Sequence, residues 1–189
     1  MSNEVSSIST LRNVSSSEEQ FRAACAVDED RDGSGEFGTF AEMSGAEPPR
    51  GSGRVLNSPM LSGAFQSRTV GGEVKRGGYQ FQLWLPARNG RFVTESARNI
   101  DARVLDPAAS EQRWRCYSWP SMYDHTGLRT FFIDERGDLW CTDDARYSGS
   151  GSGPAPGAAD VRPGTLVPAT VSADATFTGA DGNVWRRMN

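Results

Sequence analysis

One histidine, three cysteines and no long apolar run leave this 189-residue chain few ways to hold a metal, build a disulfide framework or cross a membrane. Cys25, Cys116 and Cys141 show no CxxC spacing, and His125 lies far from all three in sequence, which argues against a structural zinc site. An odd cysteine count permits at most one internal disulfide. Cys116 and Cys141, both in strand-like segments, are the pair that fits, and three free buried thiols are the alternative. No window approaches the about 20 apolar residues that span a bilayer. The opening Met1-Ser2-Asn3-Glu4-Val5 is polar and is no secretory signal, so no export address is expected in these residues. A net charge of −4, mixed in sign and without a basic stripe, argues against nucleic acid as a partner. Gly71-Gly72 and Gly77-Gly78 are followed by no Gly-Lys-Ser/Thr and no helix start, so they are not a phosphate-cradling loop.

What is present is turn chemistry and one core's worth of apolar side chains. With 21 glycines and 10 prolines, a loop-rich α+β or all-β body is favoured over a helical bundle. Ile8, Leu11, Val14, Phe21 and Ala24/Cys25 trace one apolar stripe, which predicts a helix over 2–27 interrupted by the polar Ser15–Glu19. A helix this polar is marginal alone and needs a sheet to lie on. An acidic turn follows at 28–38, then a short segment at 39–44 able to form a helical turn. Residues 45–63, rich in Gly, Pro and Ser, read as an irregular connection.

The strands fall within 76–142. Tyr79, Phe81, Leu83 and Leu85 alternate with Gln80, Gln82 and Trp84, and Pro86 ends the run. In 112–119, Trp114, Cys116 and Ser118 take one face and Arg115, Tyr117 and Trp119 the other. Leu128–Asp134 and Asp138–Thr142 form a hairpin around Glu135-Arg136-Gly137. These runs predict an N-terminal helix packed on a 3–5 stranded antiparallel sheet, within a body spanning 1–147. Residues 148–158 read as a flexible linker by composition. Residues 159–189 read as a C-terminal β-hairpin extension, with short strands at Leu166-Val167, Thr176-Phe177 and Val184-Trp185 and a turn at Ala180-Asp181-Gly182. It is too poor in apolar residues to fold alone, and so is expected to pack on the body or stay mobile.

Asp28, Asp30 and Asp32, followed by Gly33, match the first half of a calcium loop, because carboxylates at alternate positions can converge on one hard cation. Ser34 would add a backbone carbonyl and Glu36 a direct or water-mediated ligand. Position twelve is Thr39 rather than the bidentate glutamate, with Glu42 three residues late as a substitute. The ordinary alternative is a solvated turn whose aspartates accept local amides. His125, beside Tyr123 and Asp124, has the right chemistry for proton transfer but sits in a 121–127 turn without a recognisable nucleophile. Trp84, Trp114, Trp119 and Trp140 fit a core or interface role, or else a platform for sugars or peptides.

Asn3-Glu4-Val5-Ser6-Ser7-Ile8-Ser9-Thr10-Leu11-Arg12-Asn13-Val14 resembles the stretch after the membrane-spanning half-helix of type IV pilin-like and pseudopilin-like proteins. Glu19-Gln20-Phe21, the 28–38 loop, Gly78–Phe81, Trp119-Pro120, Thr126–Ile133 and Gly137–Trp140 follow in the order seen there, as do Tyr147-Ser148-Gly149 and Pro154-Ala155-Pro156. The resemblance covers 3–160 in patches. It implies a non-enzymatic structural or assembly subunit of a pilus or a type II secretion system, in the cell envelope, periplasm or extracellular space. The implied partners are other pilin-like subunits or assembly proteins, with the membrane reached only through a hydrophobic helix that these residues lack. The runner-up from the residues themselves is a secreted calcium-dependent module that binds carbohydrate or a partner protein.

Overall fold

The structure, a computed structural model, describes residues 2–96, 100–161 and 175–188. Helix α1 runs Ser2–Ala23. Its inward residues, Glu4, Ser7, Leu11, Val14, Glu18 and Phe21, recur at steps of three and four, so one stripe meets the protein along the whole helix. The helix stops four residues before the predicted end. The Ala26 amide reaches back to the Phe21 carbonyl at 3.3 Å and the Cys25 amide to Arg22 at 2.9 Å, with Cys25 at φ 49°. That is a Schellman ending, built on a left-handed residue that sequence patterns seek at glycine. Gly35 then crosses the exposed end of α1, where a side chain would collide with the Arg22 carbonyl at 1.9 Å.

Among the described residues eight strands follow, all paired antiparallel: β1 (Val74–Arg76), β2 (Tyr79–Pro86), β3 (Phe92–Val93), β4 (Arg115–Pro120), β5 (Arg129–Asp134), β6 (Leu139–Asp143), β7 (Thr176–Thr178) and β8 (Val184–Met188). Their order is β1-β2-β4-β5-β6-β8-β7, with β3 on the far end of β2. The expected sheet of three to five strands is therefore too small. The four alternating runs are its centre. Strands of two or three residues, too short to show a period, extend it at one side, and the C-terminal hairpin adds to β6 at the other. That hairpin is part of the sheet, and Trp185 in β8 is wholly buried. The predicted Leu166-Val167 strand lies outside the described residues.

The alternation divides the side chains between two cores. Tyr79, Phe81, Leu83, Trp114, Cys116, Phe131, Ile133 and Cys141 face α1. Between the sheet and the C-terminal half of the helix is an excursion that carries α2 (Phe40–Met43), Leu61 and Phe65. On the opposite face, Tyr117, Trp119, Phe132, Trp140 and Trp185 form a second cluster with Tyr147, Ala158 and Ala159. A further short helix, α3 (Pro107–Ser110), leads into β4. All three cysteines are free: Cys116 and Cys141 share the first core but stand on β4 and β6, with β5 between them, and Cys25 is exposed.

Candidate functional site

The acidic loop begins where α1 is capped. Asp28 accepts the amides of Asp32 and Gly33, both at 3.2 Å, and Asp32 accepts that of Ser34 at 2.7 Å. Oxygens of Asp28, Asp30 and Asp32 all lie within 4.8 Å of one another. Glu36 is not among them. It is fully buried, accepts the Glu29 amide at 2.8 Å and faces the Arg50 guanidinium at 3.5 Å. Glu42 is turned away as well, because its carboxylate closes a capping box with Thr39 and binds Arg50 at 3.0 Å. Of the four predicted carboxylate ligands, the three aspartates converge and Glu36 does not, and exposed acidic groups of this kind are common without an ion. Glu111, which the sequence reading did not single out, faces the same loop. Burial, then the charges of Asp32, Asp30 and Asp28, push its carboxyl above the ordinary range.

His125 is exposed in the β4–β5 turn, held by its backbone amide to the Met122 carbonyl at 3.2 Å. The neighbouring Asp124 takes a left-handed φ of 66° to close the turn. No hydrogen bond joins the imidazole to a hydroxyl or thiol among the described residues. The groups needed for nucleophilic catalysis are not assembled there.

The four tryptophans do not share one platform. Trp114 lies in the helix-side core, Trp119 and Trp140 in the distal cluster, and the half-buried Trp84 packs at its margin. Trp185 completes the distal cluster, and the signal for it was its place in the alternation of β8. Residues 148–161 run over this face as a strap. Ser150 and Gly151 both donate to Glu73. Trp119 Nε1 donates to the Gly149 carbonyl at 2.8 Å. The Pro156 carbonyl accepts from Arg115 at 2.7 Å and Tyr117 at 3.1 Å, and Asp160 pairs with Arg115 at 2.6 Å. Gly153 lies so close to the Trp119 ring that a Cβ would come within 2.5 Å of it. The composition that suggested a flexible linker also allows this close approach to the aromatic surface.

The outer face of α1 remains. Val5, Ser9, Arg12, Asn13, Ser16 and Gln20 are exposed, Val5 by 63%. The inner face is fixed by polar contacts spread along the helix. Glu4 accepts from the amides of Leu128 and Arg129, both at 3.1 Å, and from the Arg129 guanidinium at 2.7 Å. Ser7 meets Ser118 at 2.7 Å, and Ser17 donates to the Met60 carbonyl at 2.7 Å. Burial alone would raise the Glu4 carboxyl, but the hydrogen bonds and charge of Arg129 and the two amides hold it below the usual range. None of the described helices is long and apolar enough to cross a membrane. Comparison of the chain with family models, with curated proteins and with solved structures finds no match.

Proposed function

We propose that this chain is the globular body of a type IV pilin-like or pseudopilin-like protein, a non-enzymatic structural or assembly subunit that works through protein–protein contact in the cell envelope. The observation that carries the reading is α1, locked to the sheet along one face and bare along the other. A helix held this firmly offers a rigid, preorganised surface, which lowers the entropic cost of association. The ordered patches from Asn3 to Pro156 that resemble such proteins support it independently.

Two measurements test it. Cysteines at Ser9 and Ser16, in a Cys25→Ser background, should cross-link to neighbouring subunits in the native envelope, whereas Asn89→Cys in the β2–β3 turn should not. Equal labelling at all three positions overturns the reading. The DNA upstream of the Met1 codon should encode an apolar segment of about 20 residues, and a polar upstream region removes filament membership in its usual form. The alternative, a calcium-dependent module for carbohydrate or a partner protein, rests on Asp28, Asp30 and Asp32 alone, since Trp114 is buried in the helix-side core and Trp119 and Trp140 in the distal cluster. It requires saturable heat on calcium titration that Asp30→Asn abolishes.

A further inference from the structure

Residues 36–43 form a short connection that is buried throughout, so its backbone amides have no water to bond. Glutamates supply the acceptors. The Gly38 amide donates to Glu18 at 2.8 Å, that of Thr39 to Glu42 at 2.9 Å, and those of Phe40 and Ala41 to Glu95 at 2.8 and 3.1 Å. With Glu36, four carboxyl groups are sealed around one segment, none more than 2% exposed. Among the described residues two guanidiniums are buried with them. Arg50 serves Glu42 and Glu36, and Arg68 serves Glu95 at 2.9 Å. Glu18 has no such partner: one oxygen takes the Gly38 amide and the other has no hydrogen bond. It faces Glu42 and Arg50 across the segment, Glu19 on its own helix and the Cys116 thiol on β4.

We infer that Glu18 is a proton-dependent latch: its neutral carboxyl holds the 36–43 segment against α1, and its ionisation lets that segment open. An unpaired buried carboxylate among other carboxylates is costly, whereas the neutral acid keeps the Gly38 bond without that cost. Burial drives the Glu18 carboxyl well above its ordinary 4.5, and the Gly38 amide and Arg50 oppose this only in part. A carboxyl raised in the closed state favours that state most below the ordinary value and loses the advantage as pH climbs through the raised one. The latch therefore loosens toward alkaline pH. While the closed form keeps its proton and the open form has lost it, the opening constant rises about tenfold per pH unit.

Hydrogen exchange at the Gly38 amide, expressed as protection relative to the intrinsic rate, reads this directly. In the full chain that protection should fall as pH climbs above the ordinary carboxyl range, while amides near Leu11 hold theirs. Burial raises the Glu95 carboxyl to about 8 as well, so it adds its own pH dependence to the opening of this segment. Glu95→Gln should keep the part of the slope that Glu18 supplies, and adding Glu18→Gln, which keeps an acceptor for Gly38, should then make the profile flat. If Glu18→Gln folds poorly, Glu18→Met serves the same purpose. A flat profile in the unsubstituted protein, or an unchanged slope in Glu18→Gln, overturns the latch.

Discussion

Cys25 adopts φ 49° where the end of α1 turns back on itself, a conformation that costs every side chain but glycine's. It gains only a weak thiol contact to the Gly33 carbonyl at 3.6 Å. Cys25→Gly should therefore stabilise the protein by about 0.5–1 kcal/mol, read as a higher urea midpoint with unchanged slope. The ending itself could not be read from the chain, because the left-handed position carries a cysteine and the pattern that marks it is glycine. The same limit applies to the carboxyls of 28–42. A spacing of two brings Asp28, Asp30 and Asp32 together, but whether Glu36 joins them depends on Arg50, which comes from another part of the excursion.

At the scale of the element, α1 shows how little the apolar stripe says about docking. Leu11, Val14 and Phe21 mark the buried side, yet Ser7, Ser17 and Glu18 are buried with them, each beside a polar partner distant in sequence. These contacts set where along the sheet the helix rests, and apolar contact alone would tolerate sliding. Glu4 ties the N-terminal turn to β5. Replacing it by Gln should cost about 1–2 kcal/mol at neutral pH, allowing for the partial exposure of Arg129. Because the Glu4 pKa is lowered on folding, its contribution is present above the ordinary 4.5 and is lost as pH falls through the folded value. Urea curves of the two proteins should thus converge as the pH falls below the ordinary carboxyl range. This acid-side dependence is opposite in sign to that of Glu18.

At the scale of the whole molecule, the strap and the C-terminal hairpin close the side of the sheet that α1 leaves open. Glu73, just before β1, accepts both Ser150 and Gly151, so Glu73→Ala should free the start of the strap. Proteinase K should then cleave within 148–153 under conditions where the unsubstituted chain stays intact. Truncation after Gly157 removes Trp185 from the distal cluster and leaves β6 as an unpaired edge. The shortened protein should bind a hydrophobic dye and self-associate, measured by fluorescence and light scattering.

The sequence by itself determined the helix-plus-sheet class, the four central strands and the assignment of side chains within β4 to opposite faces. Each follows from a period of two or of 3.6 expressed over a single segment, so neighbours along the chain suffice to read it. Tertiary structure alone decided the size of the sheet, the conversion of a glycine-rich linker into a strap and the burial of Glu18, Glu36, Glu42 and Glu95. Short strands hold their place through partners, not period. A buried carboxyl is tolerated only where donors from elsewhere in the chain meet it, and that convergence exists only once the chain has folded.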